Sequence, residues 1–329
     1  MRVLITGVTG FIGRELARQC REAGWEVVGT SRSPAEIEGV RWRRWELRSP
    51  PDPALFDGVE SIFHLAGKAH ALAERRQERD EYDALIVEAT GRLLDAARAA
   101  GVRRMVYFSS VKAAGMRPGL MRADDPAPPE TPYGAAKRAA ERLLLAQQRV
   151  EPVILRPAMV YGPTDKGNLP RMIRAIARRR FPPLPACGNR RSMIHVADVA
   201  RAAMLLATHP GAAGTVFIAT DGEEYAIEQI TQWIYDALGR PAPRLRLPLP
   251  LLTAAASLGD AIGAVTGRRP PLDSAALDKL IGDARYDSGP LRALGFAPQR
   301  TLKEAMAEIV AFVTAGQNSS MSSDSVSPM

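Results

Sequence analysis

The sequence predicts an α/β protein with a doubly wound parallel sheet and a smaller C-terminal α/β domain. Three observations support this. A short apolar run at residues 3–6 leads through a glycine-rich turn into a helical apolar pattern at residues 14–20. Strand-like runs and helical patterns then alternate up to residue 157, which is typical of β-α-β units. From residue 161 the chain becomes rich in proline, arginine and glycine, so we expect a second domain there.

Composition and charge exclude several classes of protein. With 329 residues, of which 46% are apolar and 24% are charged, the chain can bury a full core. Its net charge of +8 is spread along the sequence, and basic clusters such as residues 178–180 are short. Because no continuous basic stripe or nucleic-acid-reading module accompanies them, we expect no nucleic-acid partner.

The cysteines and histidines argue against disulfides and metal sites. Cys20 and Cys187 are the only cysteines, which fits a reducing compartment. The four histidines lack the paired spacing of metal ligands, so we expect no metal. The chain opens on a predicted strand instead of a signal peptide, and no apolar run reaches the length of a membrane span. We therefore expect a cytoplasmic protein without a membrane-spanning segment.

The glycines of the first turn predict a dinucleotide-binding loop. Gly7 allows a sharp reversal of the chain, Gly10 leaves room for a pyrophosphate, and Gly13 lets the helix approach the strand closely. The helix N-terminus then offers free N–H groups and a positive dipole end to phosphates.

This Gly-x-x-Gly-x-x-Gly turn, preceded by Thr6, resembles that of the short-chain dehydrogenase/reductase superfamily, especially its extended branch, the NAD-dependent epimerase/dehydratase family. The resemblance implies a Rossmann-type fold and a nicotinamide cofactor. It also implies that the turn contacts that cofactor through Gly7, Thr9, Gly10, Phe11, Ile12 and Gly13.

The second predicted strand, at residues 24–32, bears on the choice of cofactor. NAD-preferring Rossmann folds carry an acidic residue at the end of this strand. Here Arg32 follows small hydroxyl residues instead, and its guanidinium suits the 2′-phosphate of NADP. We expect NADP to be favoured over NAD, although Arg32 could also be an ordinary surface arginine.

The third and fourth predicted strands, at residues 41–47 and 61–67, add further contacts by resemblance. Glu46 and Leu47 stand where the family carries an acidic and an apolar residue beside the adenine ring. Residues 64–67 resemble the His-Leu-Ala-Ala segment whose backbone follows the cofactor's ribose and pyrophosphate. This implies contacts from Leu65, Ala66 and Gly67, with His64 in a structural role.

The helical pattern at residues 81–100 resembles the family's central helix, with one departure. Relatives commonly carry an asparagine that shapes this helix and holds a proton-relay water, whereas this chain has Ile86. The relay could run differently, or the rate could be lower.

The predicted catalytic residues follow the fifth strand, at residues 104–108. Tyr133 and Lys137 are four residues apart, so they share one face of a helix, and the ammonium would lower the pKa of the phenol. Ser110, at the end of the strand, would bond the substrate oxygen while Tyr133 acts as general acid and base. Lys137 would also bond the nicotinamide ribose.

The residues after Ser110 speak against one reaction of this branch. Related dehydratases carry an Asp-Glu pair there, whereas this chain has Val111 and Lys112. A dehydratase is therefore not expected.

The second half carries the predicted substrate contacts. Residues 153–163 resemble the Leu-Arg-Pro and Val-Tyr-Gly-Pro passage of the epimerases, which implies a cofactor contact at Pro157. By the same resemblance, Lys112, Asn168 and Arg191 would contact a nucleotide-sugar substrate, the last two at its nucleotide and diphosphate. Pairing of Arg191 with a nearby carboxylate is an equally acceptable interpretation.

We thus expect a dinucleotide-binding domain at residues 1–160, a mainly substrate-binding region at residues 161–315 and a disordered serine-rich tail at residues 316–329. Within the second region, residues 251–265 form an unusually apolar helical pattern. Helices of the nucleotide domain commonly form a homodimer in the family, and the sequence leaves this open.

The resemblance is closest to bacterial enzymes that act at C4 of UDP-sugars, either 4-epimerases or 4-ketoreductases. It therefore implies a small-molecule substrate of the UDP-sugar type. Residues 266–272 are also similar to 3β-hydroxysteroid dehydrogenases and dihydroflavonol reductases, so a sterol, hopanoid or other polycyclic alcohol is a second possibility. A third is a non-catalytic NAD(P)-binding sensor.

Overall fold

The computed structural model describes residues 1–68, 78–115, 117–125, 127–147, 149–185, 187–243, 247–266, 273–274, 277 and 281–323. Its contacts divide the chain into two units. The first contains Met1–Val160, Ile194–Gly222 and Tyr286–Gln299, and the second contains the rest of the described chain.

The strands, in chain order, are β1 (Arg2–Thr6), β2 (Glu26–Ser31), β3 (Val40–Arg44), β4 (Ser61–His64), β5 (Arg104–Phe108), β6 (Leu120–Met121), β7 (Glu151–Pro157), β8 (Met159–Tyr161), β9 (Arg191–His195), β10 (Val216–Ala219), β11 (Glu224–Tyr225) and β12 (Arg285–Tyr286).

The α-helices are α1 (Phe11–Glu22), α2 (Arg79–Tyr82), α3 (Ala89–Ala99), α4 (Pro132–Leu145), α5 (Asn168–Ala177), α6 (Val196–Thr208), α7 (Ile227–Ala237), α8 (Leu249–Thr266), α9 (Gly289–Ala293) and α10 (Leu302–Ser323). A π-helical segment (Asp83–Glu88) joins α2 to α3, and a short 3₁₀ turn (Val111–Ala113) follows β5.

Seven parallel strands form the sheet of the first unit, in the order β10-β7-β5-β4-β1-β2-β3. The strand β1 lies between β2 and β4, with Val3 opposite both Val27 and Ser61. Because the chain first builds outward from β1 to β3 and then crosses back to β4, the order reverses between β1 and β4. The predicted doubly wound parallel sheet is confirmed.

Both faces of this sheet are buried, which explains the continuous apolar runs of its strands. In β1, Val3 and Ile5 enter the core on one face and Leu4 enters the core on the other. The first core is closed by apolar residues of α1 and α6, and the second by residues of α3 and α4.

The second unit has its own small apolar cluster, in which Leu252 and Ala256 of α8 are buried with Leu184 and Ile227. The strands β9 and β11 pair antiparallel, and the side chain of Asn189 accepts the first helical N–H of α7, from Ile227, at 3.0 Å. Thus α8 uses one stripe of its surface for packing inside this unit.

The last helix, α10, continues to Ser323, into the segment at residues 316–329 for which the sequence predicts disorder. Its start is anchored by buried residues such as Leu302, Met306 and Ile309. Once such a helix exists, each added residue gains one hydrogen bond, so it extends into the serine-rich segment. Residues 324–329 lie outside the described part.

Candidate active site

The residues predicted to bind the cofactor lie after the carboxyl ends of parallel strands. Gly7 follows β1, Arg32 follows β2 and Leu65 follows β4, while Pro157 ends β7. The predicted catalytic Ser110 likewise follows β5. In a parallel sheet these ends share one edge, and ligands bind there where the strand order reverses. The fold therefore gathers residues from the whole first half of the chain at one edge.

The glycine turn has the backbone that the sequence predicts. Gly7 has a positive φ of +72°, and the N–H groups of Gly7 and Val8 both donate to the Thr30 carbonyl oxygen, at 2.9 and 3.1 Å. A Cβ on Gly7 would also lie 3.0 Å from the Ala66 nitrogen. The turn is thus fixed against β2 and the residues after β4, and only glycine fits there without strain.

The start of α1 is suited to a dinucleotide pyrophosphate. A Cβ on Gly13 would overlap the Gly7 carbonyl oxygen and lie 2.9 Å from the Val8 Cα, so a side chain there would push the helix away from the turn. Gly10 is the N-cap of α1, and no side chain caps its N–H groups. Close backbone approach and free N–H groups are what phosphate oxygens require, so the cradle fits the predicted cofactor.

A buried hydrogen-bond network connects the turn to the central helix. Thr6 Oγ1 accepts the N–H groups of Leu65 and Ala66 at 3.2 and 3.1 Å, so its hydroxyl donates to His64 Nδ1 at 2.8 Å. The hydroxyl of Thr90 donates to the Ile86 carbonyl at 2.6 Å, so it accepts from His64 Nε2 at 3.1 Å. These directions assign His64 as neutral, with its proton on Nε2.

Electrostatics agree with this assignment. Burial, together with the positive charge of Lys137, lowers the pKa of His64 to about 3. The ring therefore stays neutral at neutral pH, and its two hydrogen bonds give it a structural role.

The network ends at the π-helical segment around Ile86. Ile86, the residue that stands where the sequence analysis expects an asparagine, lies within this π-helical winding. The side chain of Ile86 is buried and faces Gly67, where an added Cβ would lie 3.6 Å from Ile86 Cγ1. The carbonyl of Ile86 accepts a hydrogen bond from the Thr90 hydroxyl. In this chain a threonine side chain, and not an asparagine, thus makes the hydrogen bond at the π-helical segment.

Two predicted contacts at the adenosine end lie on the surface. Arg32 is exposed after β2, where the Ser31 hydroxyl donates to the Ser33 carbonyl at 2.6 Å and accepts from Trp42. Glu46 is exposed after β3 and pairs with Arg44. Both charged side chains are thus accessible to a ligand at this edge, and the structure contains no acidic side chain at positions 30–33.

The three predicted catalytic residues come from β5 and α4. Tyr133 lies in the first turn of α4, which Thr131 caps by accepting the Gly134 N–H at 3.1 Å. Lys137 is one turn further, and its Nζ lies 5.9 Å from the centre of the Tyr133 ring. Ser110 follows β5 and caps the 3₁₀ turn by accepting the Lys112 N–H at 3.2 Å.

A glycine that sequence reasoning passed over brings these elements together. A Cβ on Gly134 would overlap the carbonyl oxygen of Lys112, so the turn after Ser110 can lie against α4 because residue 134 has no side chain. Gly134, the residue after the predicted catalytic Tyr133, is therefore required for this packing.

The Lys137 ammonium is buried, with 5% of the residue exposed. Its Nζ donates to the Phe108 carbonyl at 2.7 Å and lies 4.6 Å from the centre of the Tyr107 ring. Burial lowers the pKa of Lys137 to about 8, and the charge of Glu141 acts in the opposite direction. A buried ammonium whose pKa is set by its surroundings is suited to stabilising a neighbouring phenolate.

Other residues around this site were missed from the sequence. Glu141, Arg156 and Ser109 form a buried polar cluster beside Lys137. The spacing of Glu141 from Lys137, again four residues, could have indicated the first of them. The ring of Tyr82 packs edge-on against Tyr133 at 5.9 Å.

The predicted substrate contacts divide between the units. Lys112 lies in the first unit, in the turn after Ser110. Asn168 is exposed at the start of α5, and Arg191 is partly buried at the start of β9, both in the second unit. Of the residues 266–272 that suggested a polycyclic substrate, those from 267 lie outside the described residues.

The described residues form neither a metal-binding cluster nor a membrane-spanning helix. Within them, no three or more His, Cys, Asp or Glu side chains are grouped so as to hold a metal ion. Among the same residues, none of the helices has both the length and the apolar character needed to cross a bilayer.

A comparison with known protein families identifies the family of this chain. The model of the NAD dependent epimerase/dehydratase family matches residues 3–219. The chain belongs to this family. The resemblance stated from the sequence is thereby confirmed, and the protein is an NAD-dependent epimerase/dehydratase-type oxidoreductase.

Individual members of the family are similar along almost the whole chain. A UDP-glucose 4-epimerase of Vibrio cholerae is 27% identical, with 92% of each chain covered. Sterol demethylase protein B of Methylococcus capsulatus is 30% identical, with 95% of this chain and 98% of the relative covered. Among solved structures, MoeE5 in complex with UDP-glucose and NAD is 28% identical, with a TM-score of 0.76, and the match covers 96% of this chain and all of that chain (100%).

The neutral His64 predicts a specific acid sensitivity of this family member. An unfolded histidine takes up a proton below pH 6.5, whereas the folded one does so only near pH 3. The contribution of the neutral His64 to stability is therefore fully present above pH 6.5. As the pH drops towards 3, the free energy of unfolding falls by up to about 4 kcal/mol. Urea unfolding between pH 4 and 8 should show a shallower pH dependence for His64→Gln than for the wild type. Equal slopes would contradict the neutral buried histidine.

Proposed function

We propose that this protein is an NAD(P)-dependent oxidoreductase or epimerase acting at a secondary alcohol or ketone, namely C4 of a nucleotide-linked sugar. The observation that carries the proposal is the buried ammonium of Lys137. It is fixed by the Phe108 carbonyl, just before Ser110, with its Nζ 5.9 Å from the Tyr133 ring. Lys137, Ser110 and Tyr133 are the three side chains that the proposed proton transfer at the substrate oxygen needs.

In this proposal each of the three has one task. Tyr133 exchanges a proton with the substrate oxygen, and Lys137 favours the phenolate by its charge. Ser110 donates a hydrogen bond that holds the substrate oxygen against the Tyr133 hydroxyl. The nicotinamide cofactor, when bound, supplies or accepts the hydride.

A sugar nucleotide as substrate is supported by the relatives. Both the UDP-glucose 4-epimerase of Vibrio cholerae and MoeE5, solved with UDP-glucose, match over nearly the full chain. In this chain we assign the diphosphate to Asn168 and Arg191, because a guanidinium can bond two phosphate oxygens at once. Lys112 is assigned to the sugar, since it lies in the turn that Ser110 caps.

NADP is the proposed cofactor, with NAD as the alternative. MoeE5 was solved with NAD, so this part of the proposal rests on the residues after β2. Arg32 is exposed there, and no carboxylate stands at positions 30–33 to repel a 2′-phosphate.

A hydrophobic polycyclic alcohol is a second candidate substrate, because two observations favour it. Sterol demethylase protein B is 30% identical over nearly the whole chain. The helix α8 exposes 59% of Leu251 and 62% of Leu258, so the second unit presents apolar side chains that a hydrophobic ligand would cover. Titration calorimetry with UDP separates the candidates: heat of tight binding supports the sugar nucleotide, and its absence supports the polycyclic substrate.

Replacing the proposed general acid and base should abolish turnover without harming the cofactor site. In Tyr133→Phe we expect a loss of turnover of about a hundredfold or more, because proton transfer is removed while the ring still packs against Tyr82. Binding of NADPH, followed by its fluorescence, should be nearly unchanged. The matched control Tyr235→Phe, on α7, should retain full activity. Full activity of Tyr133→Phe would refute the assignment, and wild-type protein without turnover on either substrate class would indicate a sensor.

Removing the arginine after β2 should change cofactor preference. We expect Arg32→Ala to weaken NADP binding about tenfold, through loss of a charge-assisted hydrogen bond, and to leave NAD binding nearly unchanged. Arg41 lies near the start of β3, whereas Arg32 lies beside the end of that strand. Arg41→Ala therefore serves as a control for the loss of one positive surface charge away from the proposed cofactor site. Equal dissociation constants for the two cofactors, before and after Arg32→Ala, would contradict the preference for NADP.

A further inference from the structure

A buried carboxylate lies one helical turn beyond Lys137. Glu141 is only 2% exposed, and it follows Lys137 on α4 at the same four-residue spacing that separates Lys137 from Tyr133. The three side chains therefore form one stripe along the helix. The proposed chemistry uses only the first two.

Three donors hold this carboxylate in place. Arg156 of β7 donates from Nε to Oε1 at 2.8 Å and from Nη2 to Oε2 at 2.6 Å. The hydroxyl of Ser109 also donates to Oε1. Because Ser109 lies between Phe108 and Ser110, the carboxylate connects α4 to the strand end that carries the other site residues.

A buried ion pair of this kind is expensive for the fold. Both Glu141 and Arg156 lose their hydration, and apolar residues of similar volume often stabilise a protein as well or better. A pair retained directly beside a proposed catalytic cation therefore calls for a functional explanation.

We propose that Glu141 is a positioning residue that keeps the Lys137 ammonium charged and in place beneath Tyr133. This inference rests on the proposed roles of Lys137 and Tyr133. Glu141 touches neither substrate nor cofactor in this proposal, and it acts through the lysine and through the strand end at Ser109.

The electrostatics of the surroundings give the direction of the effect. The groups that interact with the ammonium are the neutral His64 of β4, Tyr107 of β5, and Tyr133 and Glu141 of α4. Two arginines, Arg156 of β7 and Arg138 of α4, in turn interact with Glu141. Burial lowers the pKa of Lys137 to about 8, and the negative charge of Glu141 raises it. Without that charge the lysine would lose its proton at lower pH, and its support of a phenolate would weaken.

The test measures the lysine directly, so it needs no substrate. The chain has six lysines, and an NMR titration of labelled lysine side chains can follow each of them. The signal lost in Lys137→Met identifies Lys137. In Glu141→Gln we expect its protonation equilibrium to shift about tenfold towards the neutral amine, because a charge one turn away is removed.

A second Glu–Arg pair, in which only the arginine is buried, provides a control for the loss of one carboxylate that faces an arginine. Arg104, at the start of β5 and away from Phe108, is buried and donates to Glu151 at 2.8 Å. Glu151→Gln leaves the buried Arg104 without its carboxylate partner, so it should lower the melting temperature without changing the pKa of Lys137.

A double variant covers the case in which Glu141→Gln does not fold. Glu141→Gln combined with Arg156→Met removes both buried charges, so it should fold and still show a lowered pKa of Lys137. An unchanged pKa of Lys137 in the folded variants would overturn the proposal and leave Glu141 a purely structural role. Since this readout is independent of turnover, its failure is distinct from failure of the Tyr133→Phe experiment.

Discussion

The interaction on which the rest depends is the burial of a positive charge between the sheet and α4. Lys137 donates to the carbonyl of Phe108 at the end of β5, and its burial lowers its own pKa to about 8. Folding therefore works against the charge, and the surroundings partly restore it through the face of Tyr107 and the carboxylate of Glu141. An ammonium held this way can change the acidity of a neighbouring phenol, which a solvated lysine would do only weakly.

The parallel sheet makes such a site possible from residues far apart in sequence. Its strands end at one edge, so the glycine turn after β1 and the serines after β5 both lie at that edge although about a hundred residues separate them. Glycines at Gly13 and Gly134 permit two close approaches, of α1 to the turn and of α4 to the segment after Ser110. The neutral network through His64 then connects the turn to the central helix.

Local patterns were sufficient to predict much of this arrangement. The glycine spacing at Gly7 and Gly13 and the four-residue spacing of Tyr133 and Lys137 each report on geometry within a few residues. The pair of Glu141 and Arg156 joins a helix to a later strand, so no local pattern could reveal it. The π-helical winding at Ile86 and the extension of α10 to Ser323 likewise depend on packing and helix propagation more than on composition. The roles of Asn168 and Arg191 concern a ligand and remain predictions.

The most direct measurement is the acidity of the Tyr133 phenol itself. An ultraviolet titration of the protein saturated with NADP⁺, minus that of Tyr133→Phe, isolates this one tyrosine. Our account predicts ionisation clearly below the ordinary tyrosine pKa of about 10, and a return towards that value in Lys137→Met. A pKa at or above the ordinary value, unaffected by Lys137→Met, would contradict it.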